Sequence, residues 1–249
     1  MIIAANWKAY VESAATAKAL AAAARRLAGK GENTIILAPP APYLGLLASG
    51  KGKEAAFALA AQDVSDSTGG AATGETTAAL LADLGVAYAI IGHSERRAMG
   101  ETNELVASKV RHALAHSLTP IVCIGERERD AEASYLQFLR AELAAVFEPL
   151  SHGERTRIVL AYEPIWAIGK SAADSIHPSD LQEMVLYMQK VLADYLPGQG
   201  AAAIPILYGG SVEAENIVSL ATDTGVQGFL IGHASASVAS FSALVKALA

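Results

Sequence analysis

The run Ile158-Val159-Leu160-Ala161-Tyr162, followed at once by Glu163-Pro164 and then by a periodic stretch at 179–195, contains the unit from which the whole chain is built. Five successive apolar residues leave no polar face, so as a strand this run is covered on both sides, the condition of a parallel sheet flanked by helices. The later stretch has helical period. Leu181, Met184, Val185, Met188, Val191, Leu192 and Tyr195 fall on one stripe, Pro178 precedes it, and Ser179 and Gln182 stand at capping-box spacing. The stripe reads as core rather than as a cofactor contact.

Outward from this unit the same alternation recurs in both directions. Further apolar runs lie at 2–5, 34–38, 57–62, 88–92, 120–124, 204–208 and 228–231, with candidate helices at 13–27, 43–48, 76–84, 103–116, 131–147, 213–221 and 238–247. Eight evenly spaced strand and helix units favour closure into a barrel over an open doubly wound sheet. The expected fold class is α/β, a single (β/α)8 barrel domain spanning 1–249. Pro39-Pro40-Ala41-Pro42 and Leu196-Pro197-Gly198-Gln199-Gly200 read as loops inside the pattern, not as linkers.

Composition bounds the function. Apolar residues make up 52% of the 249 and charged residues only 18%, enough for a large core and too apolar for a disordered chain. With 25 acidic and 19 basic residues the net charge is −6, which argues against nucleic acid as a partner. The lone Cys123 has no internal partner and suits a reducing compartment. The segment 1–8 lacks the basic and long apolar regions of a secretory leader, and no apolar run reaches the ~18 residues of a membrane span. The expectation is a soluble, cytoplasmic protein that does not engage a membrane.

In parallel α/β folds the chemistry collects where strands end. The exits here carry Asn6 and Lys8; Gln62 and Asp63; His93-Ser94-Glu95-Arg96; Gly125-Glu126; Glu163-Pro164; Gly209-Gly210-Ser211; and Gly232-His233-Ala234-Ser235. A carboxylate, an imidazole, an ammonium and two glycine-rich turns suit a small phosphorylated carbonyl compound. A carbon acid beside a carbonyl loses its proton when a base is at hand and the enolate oxygen is stabilised. Glu163 fits the base, His93 and Lys8 the donors, and the amides of Ser211, Gly232 and His233 an anion. No metal or cofactor is required. Taken singly these residues have plainer readings: a structural histidine, a surface acid before a turn, a solvated lysine, a strand-to-helix turn. Only the set reverses those odds.

Six segments carry a resemblance: Asn6-Trp7-Lys8, Thr73-Gly74-Glu75, Ile91-Gly92-His93-Ser94-Glu95-Arg96-Arg97, Cys123-Ile124-Gly125-Glu126, Ala161-Tyr162-Glu163-Pro164-Ile165-Trp166-Ala167-Ile168-Gly169 and Tyr208-Gly209-Gly210-Ser211-Val212. In this order, over essentially the whole chain, they resemble the triosephosphate isomerase family. The resemblance implies a TIM barrel that is a homodimer and that interconverts dihydroxyacetone phosphate and D-glyceraldehyde 3-phosphate through an enediolate, without cofactor, in glycolysis and gluconeogenesis. It implies that Glu163 is the base, His93 a neutral electrophile, and Lys8 and Asn6 the pair that orients substrate, with Glu95 holding Lys8. It further implies a phosphate grip from the amides of Gly169, Ser211, Gly232 and His233, a lid beginning at Pro164-Ile165-Trp166, and Thr73 on an interface loop that enters the neighbouring subunit's site.

The chain departs from the family pattern in three places. Lys170-Ser171-Ala172 follows Gly169 where the family commonly continues Thr-Gly-Lys, His233 replaces a second glycine, and Tyr10 stands where a small polar residue is common near the dimer contact. An isomerase of a longer phosphoketose such as a tetrulose phosphate, a serine hydrolase, and a catalytically idle barrel scaffold are the rival readings. Arg25-Arg26 and the run 126–130 read as exposed faces, with Glu126 also expected to pair with Arg96 or Arg97. Cys123 reads as a packed small hydrophobe, and His112 and His116 as solvent-facing helix residues, since no acidic partner completes a metal motif. The Gly198-Gln199-Gly200 segment precedes a strand instead of following one, the wrong context for a dinucleotide.

Overall fold

The computed structural model describes residues 1–28, 32–49, 56–169, 176–198 and 200–248. Eight parallel strands close on themselves in sequence order: β1 Ile2–Asn6, β2 Thr34–Ala38, β3 Ala58–Ala61, β4 Tyr88–Ile91, β5 Thr119–Ile124, β6 Val159–Tyr162, β7 Ile206–Tyr208 and β8 Gly228–Ile231. The ring shuts where β1 pairs with β8, Ile2 opposite Gly228. The fold is the expected (β/α)8 barrel.

Strand alternation sorts the apolar residues into two cores. Ala4, Ile36, Ala38, Ala60, Ile90, Ile121, Cys123, Val159, Ala161, Leu207 and Leu230 fill the barrel, small and branched residues together. Their neighbours in sequence, such as Ile35, Leu37, Val122, Leu160 and Phe229, face the helices in the outer core. A run apolar at every position is therefore what this architecture demands. Cys123 is fully buried among the inner set, where burial and then the nearby Glu163 carboxylate push its thiol well up, so it stays protonated.

The helices are α1 Ala14–Leu27, α2 Leu44–Ser49, α3 Ala78–Asp83, α4 Ser94–Ala98, α5 Asn103–Ala115, α6 Ser134–Phe147, α7 His152–Arg155, α8 Pro178–Leu192, α9 Ile217–Ala221 and α10 Val238–Ala247. Ten stand among the described residues where eight were expected, because α4 and α7 are too short to show a period. Several starts also move inward. At α9 the Asn216 side chain accepts from the Glu213 amide and donates to the Ser211 carbonyl, replacing the expected first turn. At α6 the first turn yields to Ala133 in the left-handed region, with Asp130 accepting from the Ser134 amide. The Ser179–Gln182 capping box does not form. Pro178 is the first helical residue and His177 caps it, Nδ1 accepting from the Ser179 amide. A capping box forms instead at α7, where Glu154 accepts from the Ser151 amide at 2.9 Å. Among the described residues no helix is long and apolar enough to cross a membrane.

Candidate active site

Three exits aim polar side chains into the barrel mouth, two of them by alternation alone. In β1 Ala4 faces inward, so Asn6 does too; in β6 Val159 and Ala161 face inward, so Glu163 follows, and both polar residues are buried. At β4 alternation points the wrong way, because Ile90 is the inward residue and His93 lies an odd number of positions beyond it. Gly92 corrects this. Its φ of 71° lies in the left-handed region open to glycine, and the chain turns there. His93 Nε2 then sits 3.1 Å from Glu163 Oε1.

The surrounding hydrogen bonds fix the roles of the ring nitrogens. The Glu95 amide donates to His93 Nδ1 at 3.1 Å. Nδ1 is therefore an acceptor, and the ring proton of a neutral imidazole is on Nε2, facing Glu163. The second oxygen of Glu163 accepts from the Ser94 amide at 2.9 Å. The carboxylate thus rests on two donors.

Lys8 has a φ of 45°, unusual for a residue with a side chain. Its amide donates to Asn6 Oδ1 at 3.1 Å, and its carbonyl accepts from Gln62 Nε2 at 2.9 Å. Its ammonium lies 2.6 Å from Glu95 Oε1. Burial alone would push the Glu95 carboxyl up, but the Lys8 ammonium outweighs it and holds the group below the usual carboxylate range.

A hollow of about 310 Å³ gathers nine of the ten residues singled out from the sequence: Asn6, Lys8, His93, Glu95, Glu163, Gly169, Ser211, Gly232 and His233. That is the low end of ligand-site volumes and suits a small metabolite. Ser211 Oγ donates to the Ala167 carbonyl at 3.0 Å, tying the glycine-rich exit of β7 to the turn after Glu163. The two departures Tyr10 and His233 meet at the rim, ring centroids 5.0 Å apart and edge to face. Thr73 lines no part of this hollow. It is exposed on a loop whose Gly74, Glu75 and Thr76 line a second hollow of about 470 Å³, which shares Asn6, Lys8, His93 and Glu95 with the first. The altered tip at 170–172 lies outside the described residues.

Three expectations about the polar residues need correction. Glu126 pairs with neither Arg96 nor Arg97, and it is buried, not on an exposed face. Its Oε1 accepts from Tyr162 and Trp166 at 2.8 Å and from Arg129 at 3.1 Å, bracing the turn after Glu163. Arg96 instead joins Asp63 and Glu101, and Arg97 reaches Glu142. His112 is half-buried, not a surface group, whereas His116 is exposed. The sequence reading gave no role to Gln62, to the Ser94 amide or to Glu142. Gln62 was at least visible as a polar residue at a strand exit. A backbone donor and an acid on a helix give no such signal.

Among the described residues no group of histidine, cysteine and acidic side chains has the geometry of a metal site. Comparison with known proteins finds one family, described as triosephosphate isomerase, matching residues 1–248. The chain is 38% identical over 250 residues to the triosephosphate isomerase of Symbiobacterium thermophilum, covering 100% of this chain and 96% of the relative. It is 38% identical to that of Roseiflexus castenholzii, at 99% and 97% coverage. With the enzyme of Alkalilimnicola ehrlichii identity reaches 43% over 216 residues, 86% of this chain and 85% of the relative.

Proposed function

The chain belongs to the triosephosphate isomerase family and is an isomerase that interconverts dihydroxyacetone phosphate and D-glyceraldehyde 3-phosphate, and we propose that the barrel-mouth side chains divide that chemistry as follows. Glu163 takes the proton from the carbon beside the carbonyl, the electron pair of that C–H bond becomes the carbon–carbon double bond, and the carbonyl π pair moves onto its oxygen to give an enediolate. A proton passes from the hydroxyl of the first carbon to the former carbonyl oxygen, and Glu163 then returns its proton to the neighbouring carbon as the new carbonyl forms on the first. His93 donates from Nε2 to the oxygens that gain charge, and Lys8 places its ammonium beside them. The observation that carries this reading is the 3.1 Å approach of His93 Nε2 to Glu163 Oε1 at the floor of one small hollow. A substrate oxygen that takes the Nε2 donor frees the carboxylate for the carbon acid. Asn6 fixes the Lys8 backbone, Glu95 fixes its ammonium, and the amides of Gly169, Ser211, Gly232 and His233 receive the phosphate.

Replacing Glu163 with Gln tests the assignment. Turnover should fall by about 10²–10⁴-fold with an unchanged circular dichroism spectrum, and nearly full activity would remove Glu163 from the mechanism. The tetrulose phosphate and idle-scaffold readings are not favoured, since the relatives at full-length coverage carry the triose name. Comparing kcat/KM on three- and four-carbon phosphates checks this, and the small hollow supports a preference for three carbons.

We further propose a homodimer in the cytoplasm. The second hollow opens beside Lys8 and His93, with the exposed Met99 on its wall, and it suits a loop such as the one bearing Thr73 from a partner subunit. Sedimentation should give twice the 25.7 kDa chain mass. Thr73→Arg should shift the protein toward monomer and lower turnover with it.

A further inference from the structure

We propose that Glu142, in the middle of α6 and remote from the substrate, is a positioning residue for the isomerisation and acts as the carboxylate, through Gly125 and Arg97, on the two strand exits that carry the base and the imidazole. The inference rests on the roles given above to Glu163 and His93.

Glu142 is 1% exposed, an unusual place for an acid on a helix. One of its oxygens accepts from the Gly125 amide at 2.9 Å. Gly125 lies against the base: a Cβ built there would come 1.7 Å from the Glu163 carbonyl oxygen. The flanking residues complete the clamp, with the Glu163 amide donating to the Ile124 carbonyl and the Ile165 amide to the Glu126 carbonyl. Holding Gly125 therefore holds the backbone of Glu163.

The other oxygen of Glu142 lies 3.2 Å from Arg97 Nη1. Arg97 also reaches two of the strand exits and the start of α5. Nε donates to the Gly92 carbonyl at 2.9 Å, next to His93, Nη2 to the Cys123 carbonyl at 3.4 Å, and Nη1 to Asn103 at 2.7 Å. One buried charge thus anchors a guanidinium that caps β4 and an amide that braces β5 against β6. The Arg97 contact at Gly92 precedes His93 by one peptide, and Gly125 packs directly on the Glu163 backbone.

Protonation of Glu142 removes the charge that holds Arg97. Burial pushes the carboxyl up to about 7, against the pull of Arg97 and the Gly125 amide and with the help of the Glu163 and Glu126 carboxylates. The charged groups facing it are Arg97 from α4, Glu126 from the β5 exit and Glu163 from the β6 exit; Glu101 and Arg127 line the same cleft. The kcat of the enzyme should therefore weaken as pH falls through neutrality while KM holds, because no contact to the substrate is lost.

The experiment compares wild type with Glu142→Gln, an isostere that keeps an acceptor for Gly125 and loses the charge. The ratio of variant to wild-type kcat at each pH cancels the titration of the substrate's own phosphate. We expect a ratio near one at pH 6 and a loss of about tenfold at pH 8.5, with KM unchanged at both. A ratio that stays at one across the range overturns the proposal, as does a loss that appears in KM alone or is the same at every pH. Should Glu142→Gln fail to fold, Arg97→Lys serves: it should move the wild-type kcat limb to higher pH, and an unmoved limb overturns the proposal. Absence of turnover in wild type, or full activity of Glu163→Gln, would count against the reading beneath it instead.

Discussion

Lys8 combines a φ of 45° with an ammonium that lines both hollows at the barrel mouth. A residue in the left-handed region costs of order 1–3 kcal/mol unless its surroundings hold it there. Here Asn6 takes its amide and Gln62 its carbonyl, so the strain is held by side chains from the end of β1 and the exit of β3. The ion pair with Glu95 plays a smaller part in stability, since the Glu95 side chain is 61% exposed and such pairs contribute little in water. The two residues should separate in kinetics. Lys8→Met should lower kcat/KM by about 10²–10³-fold, the effect expected of a lost oxyanion donor, with a small change in Tm. Glu95→Gln leaves the cation in place and should cost less than tenfold, expressed mainly in KM. Steady-state kinetics on the two variants checks the order, and equal losses would place the whole effect in the pair and not in the cation. The ring tautomer at His93 is open to direct measurement. In the neutral ring, nitrogen NMR should show Nδ1 as the acceptor and Nε2 as N–H, and the opposite tautomer would contradict the Glu95 amide contact.

Short elements decide how the exits are aimed. Gly92 turns His93 back into the barrel, and a Cβ there would stand 3.0 Å from Val106 on α5 besides forcing a side chain to φ 71°. Gly92→Ala should therefore cost about 1–3 kcal/mol of stability and a larger share of kcat than of KM, because the ring is re-aimed while the phosphate end of the hollow stays intact. Thermal melts and kinetics on the same preparation test this, and a variant of native stability and native kcat would show that the turn does not need its glycine. The same scale explains what the sequence makes legible. β5 and β6 are readable because strands packed on both faces must be apolar throughout, and α8 because Leu181, Met184, Val185 and Met188 repeat with helical period. Its start is less readable: Pro178 satisfies a first helical position as well as a preceding one, and His177 competes with Ser179 as cap. α4 and α7 span about one turn each and have no period to detect. Glu163, His93 and Lys8 stand out only as a set gathered at successive strand exits, since each alone has a plainer structural reading. Glu142 stays hidden because an acid on an amphipathic helix ordinarily faces water, and only the packing of α6 against the β5 exit shows that this one does not.

At the scale of the molecule the buried charges bind the strand exits to the outer helices, and they carry a cost that depends on pH. Lys109 on α5 reaches Asp63 at the β3 exit and Glu101 beside α4, while Arg96 bonds the same two acids. Glu101 is held below its usual range: burial works against this, and Lys109 and Arg96 outweigh it. Glu142 goes the other way. Burial pushes its carboxyl up to about 7 in the fold, against about 4.5 for an exposed glutamate, so the native state binds the proton more tightly than the unfolded chain. The favourable contribution is complete below 4.5, declines as pH rises, and is gone once the folded group is ionised above about 7. Across that window the native state loses at most about 3 kcal/mol, at 1.36 kcal/mol per unit. Glu142→Gln has no proton to lose and should escape this decline. Relative to wild type its Tm should rise between pH 5 and pH 8 by roughly 6–12 °C, taking 2–4 °C per kcal/mol for a chain of this size. Melts of the two proteins at matched concentration and ionic strength measure the difference. A Tm gap that stays constant with pH would mean that Glu142 is ionised in both states, and would remove the reason to expect a neutral-pH limb in kcat. A gap that widens at high pH together with a kcat that falls there would identify a carboxylate kept at a cost in stability because it holds the base and the imidazole in place.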